Sequence, residues 1–267
     1  MNALLDRFRA VRCYLAEQFE HGRREVVAAG AGDTLVMMDG VGGAMFGPLL
    51  VRRALRTAGF SACTVIFDWH RSFRGDIFSD LMMLRRNRLQ ALRAVRRIRE
   101  IRRNFPQTRI HLIGFSGGAG VAAFTAEKLP ACGLVDTLIL FAPALSPRYN
   151  LSAALRHVRR CYAGISARDT VLLGLGTGIF GTIDRVRGPA AGQTGFLKPV
   201  GATGDDEAAY AKLRQLRWSP EFRRDRHHGG HTAWAGQTFL QRNLPALLRD
   251  RPSYPCHEGW FDAPPRA

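Results

Sequence analysis

Ile110-His111-Leu112-Ile113-Gly114-Phe115-Ser116-Gly117-Gly118-Ala119-Gly120 decides the reading of this chain, because a short apolar run passes there into a serine set among glycines. The run has the length and composition of a buried strand, and residues 121–129 follow it with a helical pattern. A serine on a strained strand-to-helix turn needs glycines two residues before and two after it, here Gly114 and Gly118, so that strand and helix can approach. The stretch reads as a nucleophile elbow. A helix N-cap in a glycine turn is the plainer alternative for Ser116.

Outward from this point, short apolar runs alternate with helical patterns. Residues 35–39 form a continuous apolar run, followed by a glycine loop over 40–48 and a helix over 49–57 that Gly59 closes. Residues 63–68, rich in β-branched types, read as the next buried strand. A loop through Trp69, His70, Arg71 and Gly75 leads to a basic helix over 80–104, roughly 37 Å long. Its apolar positions recur as one packing stripe, which leaves the arginines as a solvated face. Further strands are expected at 137–143, 162–166 and 215–218, with helices at 151–160, 208–213 and 232–249.

This alternation implies right-handed βαβ units, hence a three-layer α/β/α sandwich on a mostly parallel sheet of about six strands. We expect one domain over 1–267, with an N-terminal amphipathic helix within 1–30 and a core at 35–248. The glycine-rich stretch 171–204 is too long for a mere connection and is expected to lie over the site. The proline-rich tail, 250–267, is expected on the surface without regular structure.

Composition narrows the class. A chain of 267 residues with 46% hydrophobic content can bury a full core. Basic residues outnumber acidic ones, 39 to 22, and lysine occurs only at Lys128, Lys198 and Lys212. Such an arginine excess can attract anionic surfaces, yet its even spread along the chain also fits a general replacement of lysine by arginine. No zinc knuckle or aromatic-basic RNA-binding strand accompanies it, so nucleic acid is not an expected partner. Five cysteines, an odd number without paired spacing, read as reduced thiols. The first residues intersperse Arg7, Arg9 and Arg12 among apolar positions and lack a signal-peptide core, and Asp39 and several glycines interrupt the apolar stretch 35–51. The expected location is cytoplasmic, with peripheral membrane contact left open and oligomeric state undetermined.

A serine hydroxyl needs a base to take its proton, an acid to orient that base, and donors for the oxyanion it creates. His231 is the best base, following the last strand in a Gly-Gly-His loop; His227 and His228 compete with it. Asp169 is the best acid, since it lies past a strand between serine and histidine, with Asp184 and Asp136 as weaker substitutes. The backbone N–H of Gly117 is one oxyanion donor, and Val41 in the first glycine loop is the other, with Gly42 next. The loop Gly40-Val41-Gly42-Gly43 is similar to a dinucleotide fingerprint but has Met45 where a glycine is required. The three histidines lack a carboxylate or cysteine cluster to complete a zinc site. Neither metal nor cofactor is expected.

The combination resembles the α/β-hydrolase fold family from about residue 35 to 248. In that family a His-Gly pair ends the first apolar strand and the next residue supplies an oxyanion donor; this chain has Asp39-Gly40, then Val41. Two features depart from the pattern. The pair of opening antiparallel strands is missing, so an N-terminal helix would take their place, and little sequence is available to build a cap. The resemblance implies a Ser116–His231–Asp169 triad acting on a small-molecule or lipid-like carboxylic ester. Apolar residues such as Phe46, Trp69, Phe115 and Phe180 are expected to line the acyl pocket. The competing class is a non-catalytic hydrolase-fold protein that binds an anionic partner or membrane surface through its arginines.

Overall fold

A computed structural model describes residues 11–17, 32–70, 77–130, 135–170 and 181–262. Its centre is a seven-stranded sheet in the order β2-β1-β3-β4-β5-β6-β7. The strands are β1 (Asp33–Met38), β2 (Cys63–Ile66), β3 (Arg109–Phe115), β4 (Val135–Phe141), β5 (Val158–Ile165), β6 (Leu213–Arg217) and β7 (His257–Glu258). The first six run parallel, and only β7 is antiparallel to its neighbour. Among the described residues no antiparallel strand precedes β1.

Both faces of the central strands are covered, which is why β1 reads Asp-Thr-Leu-Val-Met-Met without polar alternation and is buried throughout. Leu35 and Met37 face the side covered by α1 (Phe46–Thr57) and α8 (Gln237–Leu248), together with Leu50, Val51, Leu240 and Leu244. Val36 and Met38 face the other side, with Ala94, Ile98 and Phe124 of α3 (Leu84–Asn104) and α4 (Gly117–Glu127). Each fully buried aliphatic side chain contributes on the order of 1.5–3 kcal/mol. The remaining helices are α2 (Ile77–Met82), α5 (Ser152–Arg156), α6 (Ala191–Thr194) and α7 (Gly204–Tyr210). Residues 11–17 are helical and held on α1 by the wholly buried Glu17, which meets Arg52 Nε at 2.7 Å and Arg56 Nη2 at 2.9 Å.

Three expectations need correction. The tail is not without regular structure: β7 pairs with β6 at the edge of the sheet, and Gly259 O accepts Gln215 Nε2 at 2.7 Å. Aromatic area fixes that tail, with Tyr254 stacked on Phe222 at 3.8 Å between centroids. The helix expected at 80–104 begins at Ile77 and breaks at Met83. At the break the Asn87 side chain takes the Asp80 carbonyl at 2.6 Å, so the bond that would continue one helix into the next is made by a side chain instead. The closing helix starts late, because a 3-10 turn over His231–Ala235 precedes α8.

Among the described residues no helix is long and apolar enough to cross a membrane.

Candidate active site

Ser116 stands between β3 and α4 with φ 52 and ψ −119, a conformation a non-glycine residue avoids unless its surroundings enforce it. The enforcement is visible in its hydrogen bonds. Its N–H donates to Phe141 O at 2.9 Å, and its carbonyl accepts the N–H groups of Ala119 and Ala144, both at 3.1 Å. The flanking glycines permit the close turn, because a β-carbon on Gly114 would lie 2.5 Å from Ala119 Cα, and one on Gly118 would lie 2.1 Å from Asp39 O. Gly118 thus brings the start of α4 against the end of β1.

His231 opens the 3-10 turn after β6, and Asp169 follows β5. The two meet at 2.5 Å between Nδ1 and Oδ2, with the carboxylate 2% exposed. Ser166 ties their loops together, accepting Asp169 N–H through its carbonyl at 3.0 Å and donating its hydroxyl to Gly229 O at 2.6 Å. Both Ser116 and His231 line one cavity. Among the described residues no hydrogen bond joins the Ser116 hydroxyl to the His231 ring, a contact that often tightens only around substrate.

The competing residues lie elsewhere. His227 is wholly buried, its ring 4.4 Å from that of Trp234 and 5.0 Å from that of Phe239, and burial first, then His228, lowers its pKa to about 3. Neither His227 nor His228 lines the cavity. Asp184 serves a turn, accepting Ser146 N–H at 2.9 Å and the Thr182 hydroxyl at 2.6 Å. Asp136, near the start of β4, is held by Arg160 at 2.6 Å and is far along the strand from Phe141, which pairs with Phe115 beside the serine. Among the described residues no group of three or more His, Cys, Asp or Glu side chains could hold a metal ion.

Val41 and Gly117 adjoin, since a β-carbon on Gly117 would lie 2.7 Å from Val41 Cγ1. Among the described residues neither of their N–H groups has an acceptor. Gly42, the substitute, donates instead to Asp80 Oδ2 at 2.9 Å. Asp39, where the family has histidine, accepts Phe46 N–H at 3.0 Å and Gly47 N–H at 3.1 Å and so anchors the N-terminus of α1. Burial raises the Asp39 pKa against the opposing pull of those amides.

The cavity measures about 390 Å³, and its walls are apolar, with Phe46, Phe115, Phe141, Ile77, Leu81 and Ala235 among them. Trp69 is not among the lining residues: it is wholly buried behind the glycine loop, its indole N–H donating to Asp39 O at 2.9 Å. Phe180 and the rest of 171–180 lie outside the described residues. The part of that glycine-rich stretch at 181–204 does not line the cavity, because it packs on the far side of the elbow, where Ile183 N–H donates to Ala144 O at 2.9 Å and its side chain lies against Gly120. That wall is supplied instead by α2, through Ile77 and Leu81. The sequence reading missed α2 and the Trp69, His70 and Asp80 contacts to the glycine loop; the available signal was their place just past β2, at the carboxyl edge of the sheet where sites gather.

A mostly parallel sheet with a serine in a left-handed turn at the end of its third strand, followed by a buried helix, is the α/β-hydrolase fold. No protein-family model and no curated protein matches the sequence. The chain is similar to several solved structures. Esterase PE8 is 17% identical, with a TM-score of 0.50 over 85% of this chain and 97% of that one. The Pyrococcus furiosus esterase Pf2001 is 14% identical, with a TM-score of 0.48 over 89% of this chain and 91% of that one. A cutinase-like protein from Cryptococcus sp. is 12% identical, with a TM-score of 0.41 over 84% and 98%. Similarity at this identity speaks to fold and to nothing finer.

Proposed function

We propose that the protein is a serine hydrolase that cleaves a carboxylic ester through an acyl-enzyme. One observation carries the reading: Ser116, strained into the elbow, and His231, anchored on Asp169, line the same apolar cavity. Ser116 Oγ attacks the ester carbonyl while His231 Nε2 takes its proton, and Asp169 holds the Nδ1–H so that Nε2 is free to accept. The oxyanion is met by the N–H groups of Val41 and Gly117, each removal costing on the order of 2.7–4 kcal/mol of transition-state stabilisation. His231 passes the proton to the departing alcohol, and water then releases the acid by the reverse exchange.

An ester with an apolar acyl group suits the aromatic and aliphatic walls. A fluorophosphonate probe should label the wild type and spare Ser116→Ala, and p-nitrophenyl butyrate hydrolysis should fall with the labelling. Equal labelling of the two proteins, or none of either, removes the reading.

A second role is favoured by one observation on α3. Arg85, Leu89, Leu92, Arg96, Arg99 and Arg103 are all exposed and recur at helical spacing, so they form one outward stripe. Attachment of this stripe to anionic lipid would persist in Ser116→Ala and vanish at high salt. Vesicle sedimentation without salt dependence removes it.

A further inference from the structure

The glycine loop between β1 and α1 is gripped from behind by three contacts. Trp69 Nε1 donates to Asp39 O at 2.9 Å, His70 Nε2 faces Gly40 O at 2.7 Å, and Gly42 N–H donates to Asp80 Oδ2 at 2.9 Å. The middle contact bears on the chemistry, because Gly40 O and Val41 N–H are the two ends of a single peptide unit. No peptide bond among the described residues is cis, so that N–H points opposite to its carbonyl. A donor on Gly40 O therefore fixes the plane in which Val41 N–H is presented, and it polarises the amide so that the N–H becomes a stronger donor.

His70 is built to hold that bond. Its side chain is 5% exposed, and its Nδ1 lies 3.0 Å from Asp68 Oδ1. Both ring nitrogens thus face acceptors, a carboxylate and a carbonyl, which only the doubly protonated ring can satisfy. Asp80 Oδ2 lies 3.7 Å from Nε2, and Arg86 in turn holds Asp80 Oδ1 at 3.0 Å. Burial pulls the His70 pKa down, but the bonds to Asp68 and Gly40 and the charges of Asp80 and Asp68 outweigh it and the net direction is upward. The ring also backs the turn itself, since a β-carbon on Gly43 would lie 3.1 Å from His70 Cγ.

We infer that His70, bracketed by Asp68 and Asp80, is a positioning residue that orients and polarises the Gly40–Val41 peptide as an oxyanion donor. The inference rests on the serine-hydrolase reading. It also links that wall to the chemistry, because Asp80 belongs to α2, whose Ile77 and Leu81 wall the cavity.

The test compares wild type, Ser116→Ala, His70→Ala, His70→Gln and Asp68→Asn on p-nitrophenyl butyrate and with a fluorophosphonate. His70→Ala should lower kcat and the phosphonylation rate together by about 10²-fold, the scale of one lost oxyanion donor, with KM within about twofold. His70→Gln, which can still donate to Gly40 O, should recover about tenfold of that loss. Asp68→Asn, which keeps the ring, should lose about threefold to tenfold and serves if His70→Ala does not fold. Folded His70→Ala, or Asp68→Asn in its place, with wild-type kcat overturns the inference while Ser116→Ala is inactive. Full activity in Ser116→Ala instead overturns the serine reading, and this inference with it.

Discussion

Replacing Gly118 by alanine tests the architecture of the elbow through a single methyl group. In a helix interior the change ordinarily stabilises by up to about 1 kcal/mol. Here the added carbon would sit 2.1 Å from Asp39 O and 2.6 Å from Met38 O, both rigid backbone atoms at the end of β1. A separation of 3.0 Å requires α4 and β1 to part by about 0.9 Å. Overpacking of this kind costs about 1–3 kcal/mol, so a net loss of about 1–2 kcal/mol and a Tm fall of roughly 3–6 °C are expected. The larger consequence is geometric, because Ser116 and Gly117 travel with α4 while Gly40 and Val41 travel with β1. A displacement near 1 Å between nucleophile and oxyanion donor costs on the order of 10²-fold in rate. Gly204→Ala is the control: nothing lies within 4 Å of its β-carbon position at the first turn of α7, and its effect should stay within about 0.5 kcal/mol. Hydrolysis of p-nitrophenyl butyrate and thermal unfolding measured on both variants decide the matter. A Gly118→Ala protein with wild-type kcat would refute the reasoning, whatever its Tm.

Further outcomes follow from other contacts. Asp169→Asn should keep the fold and KM while lowering kcat by about 10⁴-fold, since the amide cannot hold His231 in the required tautomer; a loss below about tenfold in steady-state kinetics would remove Asp169 from the site. Leu81→Ser, which makes the cavity wall polar, should reduce kcat/KM for p-nitrophenyl octanoate about tenfold more than for the butyrate. An equal loss on both esters would mean that the acyl chain does not run along α2. His227 is neutral in the fold with its pKa lowered to about 3, and the unfolded chain takes up that proton near 6.5. Its contribution is therefore complete above the upper value and declines as pH falls towards the lower one, by at most about 1.4 kcal/mol per unit. Urea midpoints at pH 7 and 5 should differ less in His227→Phe than in the wild type; identical differences would contradict the assignment.

The parallel core is legible in the sequence because strands buried on both faces must be short, continuous apolar runs, as in Leu35-Val36-Met37-Met38 and Leu138-Ile139-Leu140-Phe141. The candidate site residues are legible from local pattern: a serine among glycines, an aspartate just past β5, and a histidine in the Gly-Gly-His loop that follows β6. What stays hidden is long-range and polar. Nothing local says that Asn87 captures the Asp80 carbonyl and breaks a helix at Met83, or that Tyr254, 29 residues from Asp225, fastens the tail to it by a 2.8 Å bond. The bracket behind the glycine loop escapes notice similarly, because Trp69, His70 and Asp80 reach that loop through backbone atoms some thirty to forty positions earlier. Trp69 shows the typical error, an aromatic residue assigned to a pocket by composition when its indole N–H is needed elsewhere.

The helix that begins at Ser116 has no solvent face at all between Gly117 and Ala126. Small side chains let it lie inside the molecule, with the sheet on one side and α3 and α5 on the others. Such an element cannot fray on its own, so its amides have no route to solvent short of opening the whole core. Hydrogen exchange along α4 should run at the rate of global unfolding, and the serine should lose its poised geometry at the same denaturant concentration at which the fold disappears. On the serine-hydrolase proposal, the nucleophile would therefore be lost only together with the core.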